Sequence, residues 1–127
     1  MDASEEFQPG SIVKVKDAVE RMQGTYLNDI LASVNDHVVR VSVMTEPYFW
    51  HCHPESDETF LVLEGRLGVE FEDHEIVLGV SEMITVPKGA VHRTRPIGGR
   101  SVNLTVERRA TTTERIDIAD AGAARNA

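Results

Sequence analysis

Short runs of apolar and β-branched residues, separated by turn formers every eight to twelve positions, occupy the chain from about residue 30 to 107. That pattern predicts an all-β domain, a sandwich or a closed barrel. Ile30–Val34 and His37–Met44 flank Asn35-Asp36, two residues that tolerate left-handed backbone angles, and so read as a tight hairpin. Tyr48–His53, Glu58–Glu64, Arg66–Glu72, Glu75–Leu78, Met83–Val86, Val91–Arg95 and Ser101–Glu107 follow as strands. Gly65, Asp73-His74, Gly79, Pro87-Lys88-Gly89 and Gly98-Gly99 mark the breaks between them, for about nine strands in all.

Residues 1–29 are expected to hold an edge strand at Ile12–Lys16 and a short helix at Asp17–Gln23, opened by Asp17 as a cap and ended by Gly24. Residues 30–107 form the barrel, and residues 108–127 are a partly flexible extension. Within that extension Ile116 and Ile118 alternate and can pair as a late edge strand, whereas Ala119–Ala127 lacks large apolar residues to bury and is expected to be loosely held.

At 127 residues the chain fits one domain with a core that needs no disulfide staples. The single cysteine, Cys52, has no internal partner, and Met1–Glu6 is acidic where a secretory leader would be basic, so the expected compartment is cytoplasmic. No apolar run is long enough for a membrane span, and a formal net charge of −8 repels phosphate backbones and anionic lipid. Neither nucleic acid nor membrane is therefore an expected partner. A small-molecule ligand is, because a metal ion can set the potential inside a pocket whatever the surface carries.

The chemistry sits in Trp50–Glu58. His51 and His53 are two apart on an expected strand, so both imidazoles point to one face. Glu58 stands at an odd offset from them, but Pro54, Ser56 and Asp57 are turn formers that can reset the facing and bring it back to the same interior. His92 arrives after Pro87-Lys88-Gly89, a tight turn that feeds a new strand. Any one of these histidines alone would read as an ordinary surface or core residue. Together, three neutral imidazoles and one carboxylate suit one divalent transition metal (Mn, Fe, Ni, Co or Zn), with His51, His53, Glu58 and His92 as the candidate ligands. Their charge of −1 leaves such a centre net positive, which favours a chelating anion such as an enolate or hydroxyacid.

At these residues the sequence resembles the cupin superfamily. His51, His53, Glu58 and Gly65 match its first motif, H-x-H, then E, then G, and Pro87, Gly89 and His92 match its second, P-x-G-x-x-H. The resemblance covers roughly residues 38 to 107 and implies a cupin-type jelly-roll β-barrel with those three histidines and the glutamate as metal ligands. Thr45, Ser81-Glu82 and Pro96 depart from the family's usual turn residues and touch loop geometry rather than the ligand set.

Around the four, Cys52 should face away from the histidines as a small buried hydrophobe, and Glu55 and Asp57 should solvate their turn. His37 and His74 fall at turns and read as surface residues; Arg93 and Arg95 alternate with His92 and should point outward. Phe49, Phe60 and Val62 share the inward parity and are the candidate cavity wall. The leading functional expectation is a metal-dependent enzyme on a small polar metabolite, of isomerase, dioxygenase or lyase type; the alternative is a non-catalytic small-molecule or metal-binding module. A homodimer is expected, built by Ile12–Lys16 pairing across a two-fold axis.

Overall fold

Two of the expected strand breaks are bends inside strands, and those bends organise the fold. The computed structural model describes residues 8–117. In it Glu58–Glu64 and Arg66–Glu72 are one strand, β4 (Glu58–Phe71), and Val91–Arg95 and Ser101–Glu107 are another, β7 (His92–Arg108); β1 (Tyr26–Val34), β2 (His37–Met44), β3 (His51–Cys52), β5 (Glu75–Leu78), β6 (Met83–Val86) and β8 (Glu114–Arg115) complete the set. β4 and β7 pair antiparallel along nearly their whole length, from Thr59 opposite Val106 to Phe71 opposite His92, with register shifts on either side of Glu64. Gly65 (φ 73) and Gly98 (φ 83) supply left-handed conformations at the corner, so the glycines bend a continuous ladder instead of ending it.

The corner divides one curled sheet into two layers. One runs β1-β2-β7-β4-β6 through Ser101–Arg108 and Thr59–Glu64; the other runs β8-β3-β7-β4-β5 through His92–Ile97 and Arg66–Phe71. Met44, Phe60, Val62 and Val86 of the first layer pack with Leu67, Val69 and Leu78 of the second as the barrel's apolar core. The result is the jelly-roll barrel that the sequence resemblance implied.

The helix, α1 (Val15–Glu20), closes the outer face of the first layer, where Ala18 and Val19 pack on Leu31, Val41, Val43 and Val102. It replaces the expected strand at Ile12–Lys16. Ser11–Lys14 has no strand pairing, Ile12 is 90% exposed, and Val15 and Lys16 already belong to the helix. Val15, Ala18 and Val19 have the spacing of a helical face, which is the period that prevailed. Lys14 takes the N-cap position without a side-chain bond, and Asp17 lies in the first turn, where its charge suits the helix dipole.

β1 starts at Tyr26, four residues before the expected Ile30, because Asn28 and Asp29 also stand in the ladder, opposite Ser42 and Val41. The strand around His51 is confined to two residues between Pro47 and Pro54. The late edge strand exists at Glu114–Arg115, and Ile116 N–H donates to the Trp50 carbonyl at 2.9 Å. Ile118 and Ala119–Ala127 lie outside the described residues. No helix among the described residues is long and apolar enough to cross a membrane.

Two substitutions of opposite sign test the corner and its neighbouring turn. A Cβ on Gly65 would collide with the Arg100 carbonyl oxygen in addition to forcing a left-handed backbone, so Gly65→Ala is expected to cost at least about 2 kcal/mol in urea unfolding. Ser81, in contrast, holds φ 71 with a side chain, and Ser81→Gly should be neutral or stabilise by up to about 1 kcal/mol.

Candidate metal centre

The centre lies where the two layers meet at one end of the barrel. His92 opens β7 and is the register partner of His51 on β3, with Phe71 at the end of β4 on its other side. His53 follows β3, and Glu58 opens β4. The turn between them is tied at both ends: Ser56 Oγ accepts from the Arg108 N–H at 2.9 Å, and Asp57 Oδ1 accepts from the Lys88 N–H at 2.8 Å. These bonds shift the strand's facing and deliver Glu58 to the side of the histidines.

His51, His53, Glu58 and His92 are all buried, and one nitrogen or oxygen atom from each lies within 4.8 Å of the others, an arrangement that could hold a metal ion. The imidazoles are oriented alike. His51 Nδ1 is 2.8 Å from the Phe49 carbonyl, His92 Nδ1 is 2.9 Å from the Ala90 carbonyl, and His53 Nδ1 is 3.1 Å from the Thr112 carbonyl. A carbonyl can only accept, so each Nδ1 carries the proton and each Nε2 offers its lone pair when the ring is neutral. His53 Nε2, His92 Nε2 and Glu58 Oε1 are buried and meet only one another, Glu58 Oε1 standing 3.1 Å from His53 Nε2 and 3.5 Å from His92 Nε2, with no hydrogen-bond partner from outside the cluster. Buried polar atoms are rarely left so, and three converging in one place are suited to a shared cation.

Charge in the cluster is uneven. Burial, reinforced by repulsion from His92, holds His51 down to about 4, so it is neutral at ordinary pH. Burial pushes His53 the same way, but Glu58 beside it, with Oε1 3.1 Å from Nε2, outweighs that and raises His53 to about 9. Glu58 is opposed by its own burial and is nonetheless pulled down to about 2 by His53 and His92. The cluster without metal thus keeps one proton between His53 and Glu58.

His51, His53 and Glu58 open onto a cavity of about 310 Å³ lined further by Tyr26, Arg40, Ser42, Tyr48, Phe60 and Glu107, with His92 buried behind them. Of the expected wall residues only Phe60 is there. Val62 is wholly buried in the apolar core, and Phe49 turns outward to a surface groove where the Arg115 guanidinium stacks 5.0 Å from its ring. Sequence reasoning missed Tyr26, Arg40, Ser42 and Glu107, although the alternate polar positions Arg40 and Ser42 in a strong strand were a legible sign of a polar interior. Burial and the Glu114 and Glu55 carboxylates push the Cys52 thiol up, away from reactivity, as its reading as a buried hydrophobe requires. Arg93 pairs with Glu70 and Arg95 with Glu75, both outside the cavity. His37 and His74 sit at exposed turns beside Asp36 and Asp73. Glu55 does more than solvate its turn, since its carboxylate accepts from the Thr112 N–H at 3.2 Å and so fixes the segment that orients His53.

Comparison with known proteins gives three findings. A family model described as a cupin domain matches residues 38–106. The uncharacterized protein YdbB of Bacillus subtilis (strain 168) is 48% identical over 89 residues, spanning 69% of this chain and 78% of that protein. Among solved structures, a cupin-2 domain containing protein from Shewanella frigidimarina superposes with TM-score 0.72 at 26% identity, over 77% of this chain and 95% of that one. The DMSP lyase DddQ from Ruegeria pomeroyi superposes with TM-score 0.62 at 23% identity, over 73% of this chain and 54% of that one, a likeness of fold.

The charge state can be checked directly in metal-free protein. Imidazole NMR should show His53 protonated up to about pH 9 and His51 neutral, as its Nδ1–H tautomer, down to about 4. Because His53 is raised by folding, its contribution to stability is complete below about pH 6.5 and disappears as pH climbs through 9. The melting temperature of metal-free protein should therefore decline across that window, and a flat profile would contradict the His53–Glu58 pairing.

Proposed function

The chain belongs to the cupin-domain family, and on that premise we propose that it is a metal-dependent enzyme acting on a small polar metabolite, with His51, His53, Glu58 and His92 as ligands of one divalent transition-metal ion. The observation that carries this reading is the set of three imidazoles, each fixed through Nδ1 to a backbone carbonyl, converging with a carboxylate around buried atoms that lack partners. Bound there, manganese, iron, nickel, cobalt or zinc supplies a Lewis acid for a carbonyl, hydroxyl or water.

The protein's own residues do the rest. Backbone carbonyls hold the rings without freedom to turn away, Glu58 contributes the one ligand charge, and Phe60, Met44 and Tyr48 shield one side of the cavity from water. Isomerisation, dioxygenation and elimination all suit a chelated small substrate, and the DMSP lyase that shares this barrel means that elimination is chemistry the fold can host. A cytoplasmic location rests on the unpaired Cys52. A homodimer belongs to the same reading, its support moved from Ile12–Lys16, which is not a strand, to the exposed Leu63, Met83 and Val106 on β4, β6 and β7.

Elemental analysis of tag-free protein is expected to give one divalent ion per chain, and sedimentation at micromolar concentration a dimer. Uptake near pH 7.5 should release about one proton per ion, because His53 must surrender its own, and affinity should fall as pH falls. His92→Ala should lower metal affinity and any turnover by orders of magnitude with the barrel still folded, whereas Cys52→Ser should change neither. Screening hydroxyacids, uronates, sugar phosphates, diketones and catechols against loaded and stripped protein separates the enzyme from a binding module. The module would bind a ligand in a metal-dependent way and consume none.

A further inference from the structure

The cavity holds a second set of buried polar atoms without hydrogen-bond partners, outside the four-residue cluster. We propose that Arg40, Thr105 and Glu107 form a hydroxyl-reading subsite beside the centre, so that the substrate carries a free hydroxyl next to its chelating oxygens. The proposal rests on the metal reading above and names the substrate class for that site.

Arg40 Nε, Thr105 Oγ1 and Glu107 Oε2 are each buried without a hydrogen-bond partner. Arg40 on β2 is the register partner of Thr105 on β7, and Glu107 lies two residues further on the same face, so all three line the cavity as one patch. The patch is built and held in place. Arg40 Nη1 donates to Asn28 Oδ1 at 3.4 Å, which fixes the guanidinium, while Nε is ion-paired with Glu107 Oε1 at 3.5 Å without making a hydrogen bond to it. Glu107 Oε2 is 4.0 Å from His53 Nε2, which places the patch directly against the metal cluster.

An N–H donor and a carboxylate acceptor lying side by side are complementary to a group that accepts from one and donates to the other, which is what a hydroxyl does. Thr105 Oγ1 can serve either role as a third partner. An apolar substituent in this position would leave donor and acceptor both buried and unpaired. A second carboxylate would satisfy Arg40 Nε but set oxygen against oxygen at Glu107. Sites that hydrogen-bond a substrate hydroxyl discriminate strongly against analogues that lack it, because the loss falls on the protein's desolvated groups. The substrate class is therefore a small hydroxylated chelator, such as a dihydroxy acid or hydroxyketone.

Glycerate and lactate isolate the point, since they share the 2-hydroxyacid chelate and differ in the 3-hydroxyl. Calorimetric titration of manganese-loaded protein is expected to show glycerate binding about ten-fold or more tightly than lactate. Replacing the pair together, Arg40→Met with Glu107→Leu, leaves no lone buried charge and should collapse the preference to within about two-fold while manganese uptake stays the same. Glu107→Gln, isosteric and still able to accept, should keep most of the preference and serves as the second variant if the double change does not fold. Equal affinities in the wild type, or a preference that survives the double change, would overturn the subsite. Metal uptake is measured on the same samples, so a failure of the metal reading is seen separately. In stripped protein at high probe concentration the melting temperature should still rise more with glycerate than with lactate, and the reverse order would also overturn the proposal.

Discussion

The two layers of this barrel meet at their ends because β4 and β7 turn one corner together. Each strand begins in one layer and finishes in the other, and they run antiparallel, so Glu58 at the start of β4 and His92 at the start of β7 belong to different layers. Had the ladder stayed straight, those two residues would sit at opposite ends of a long ribbon. Bent at Gly65 and Gly98, it folds them over one another until Glu58 Oε1 and His92 Nε2 are 3.5 Å apart. The histidine–glutamate cluster is thus a consequence of the corner. The absence of a side chain at Gly65, pressed against the Arg100 carbonyl, is what lets the corner close.

The barrel interior is divided by polarity along its length. One end is a packed cluster of Met44, Phe60, Val62, Leu67, Val69, Leu78 and Val86, which stabilises the fold in the ordinary way by removing apolar surface from water. The other end buries three histidines and two glutamates beside the half-buried Arg40, and desolvating such groups is unfavourable unless each finds a partner. In the metal-free state a proton held between His53 and Glu58 offsets part of that penalty. A divalent ion would offset more of it, and a substrate hydroxyl at Arg40 and Glu107 would complete the remainder. Stability and binding are therefore drawn from the same unsatisfied atoms.

The cluster of His51, His53, Glu58 and His92 was legible in the sequence because H-x-H on a strand and P-x-G-x-x-H after a turn each encode geometry locally, through strand alternation and tight-turn backbone. The hairpin around Asn35-Asp36 and the strands β5 and β6 were legible for the same reason, each bounded by its own turn residues. What escaped was information carried by tertiary context. A glycine that bends a strand and a glycine that ends one look alike until the partner strand is known, so Gly65 and Gly98-Gly99 were read as breaks. The polar pair Asn28-Asp29 lies ahead of the expected start of the first strand, yet Asn28 belongs in it since this end of the barrel faces a polar cavity. Ile12–Lys16 alternated like a strand but pairs with no strand among the described residues, and packing of Val15 and Val19 against the sheet favoured a helix. Phe49 had the right parity and the wrong neighbour: outside the two-residue strand β3, parity no longer dictates facing.

The segment following β7 shows how the barrel is finished by residues outside the stretch that matches the family. Thr111 and Thr113 line the cavity, the Thr112 carbonyl receives the His53 Nδ1 proton, and Glu55 grips Thr112 through its backbone N–H and its hydroxyl. β8 then pairs with β3, Glu114 opposite Cys52 and Arg115 opposite His51, and closes the edge beside the cluster. His51 and His92 are oriented by carbonyls two residues before them in the chain, just ahead of β3 and β7. His53 is oriented from a distance of 59 residues by a segment read from the sequence as a partly flexible extension. His53 and Glu107 thus lie on the side where the cavity wall comes from both the barrel and the segment after it. A change at Thr111–Thr113 would therefore act on the orientation of His53 and the shape of the cavity, whereas the carbonyls that face His51 and His92 belong to Phe49 and Ala90, outside that segment.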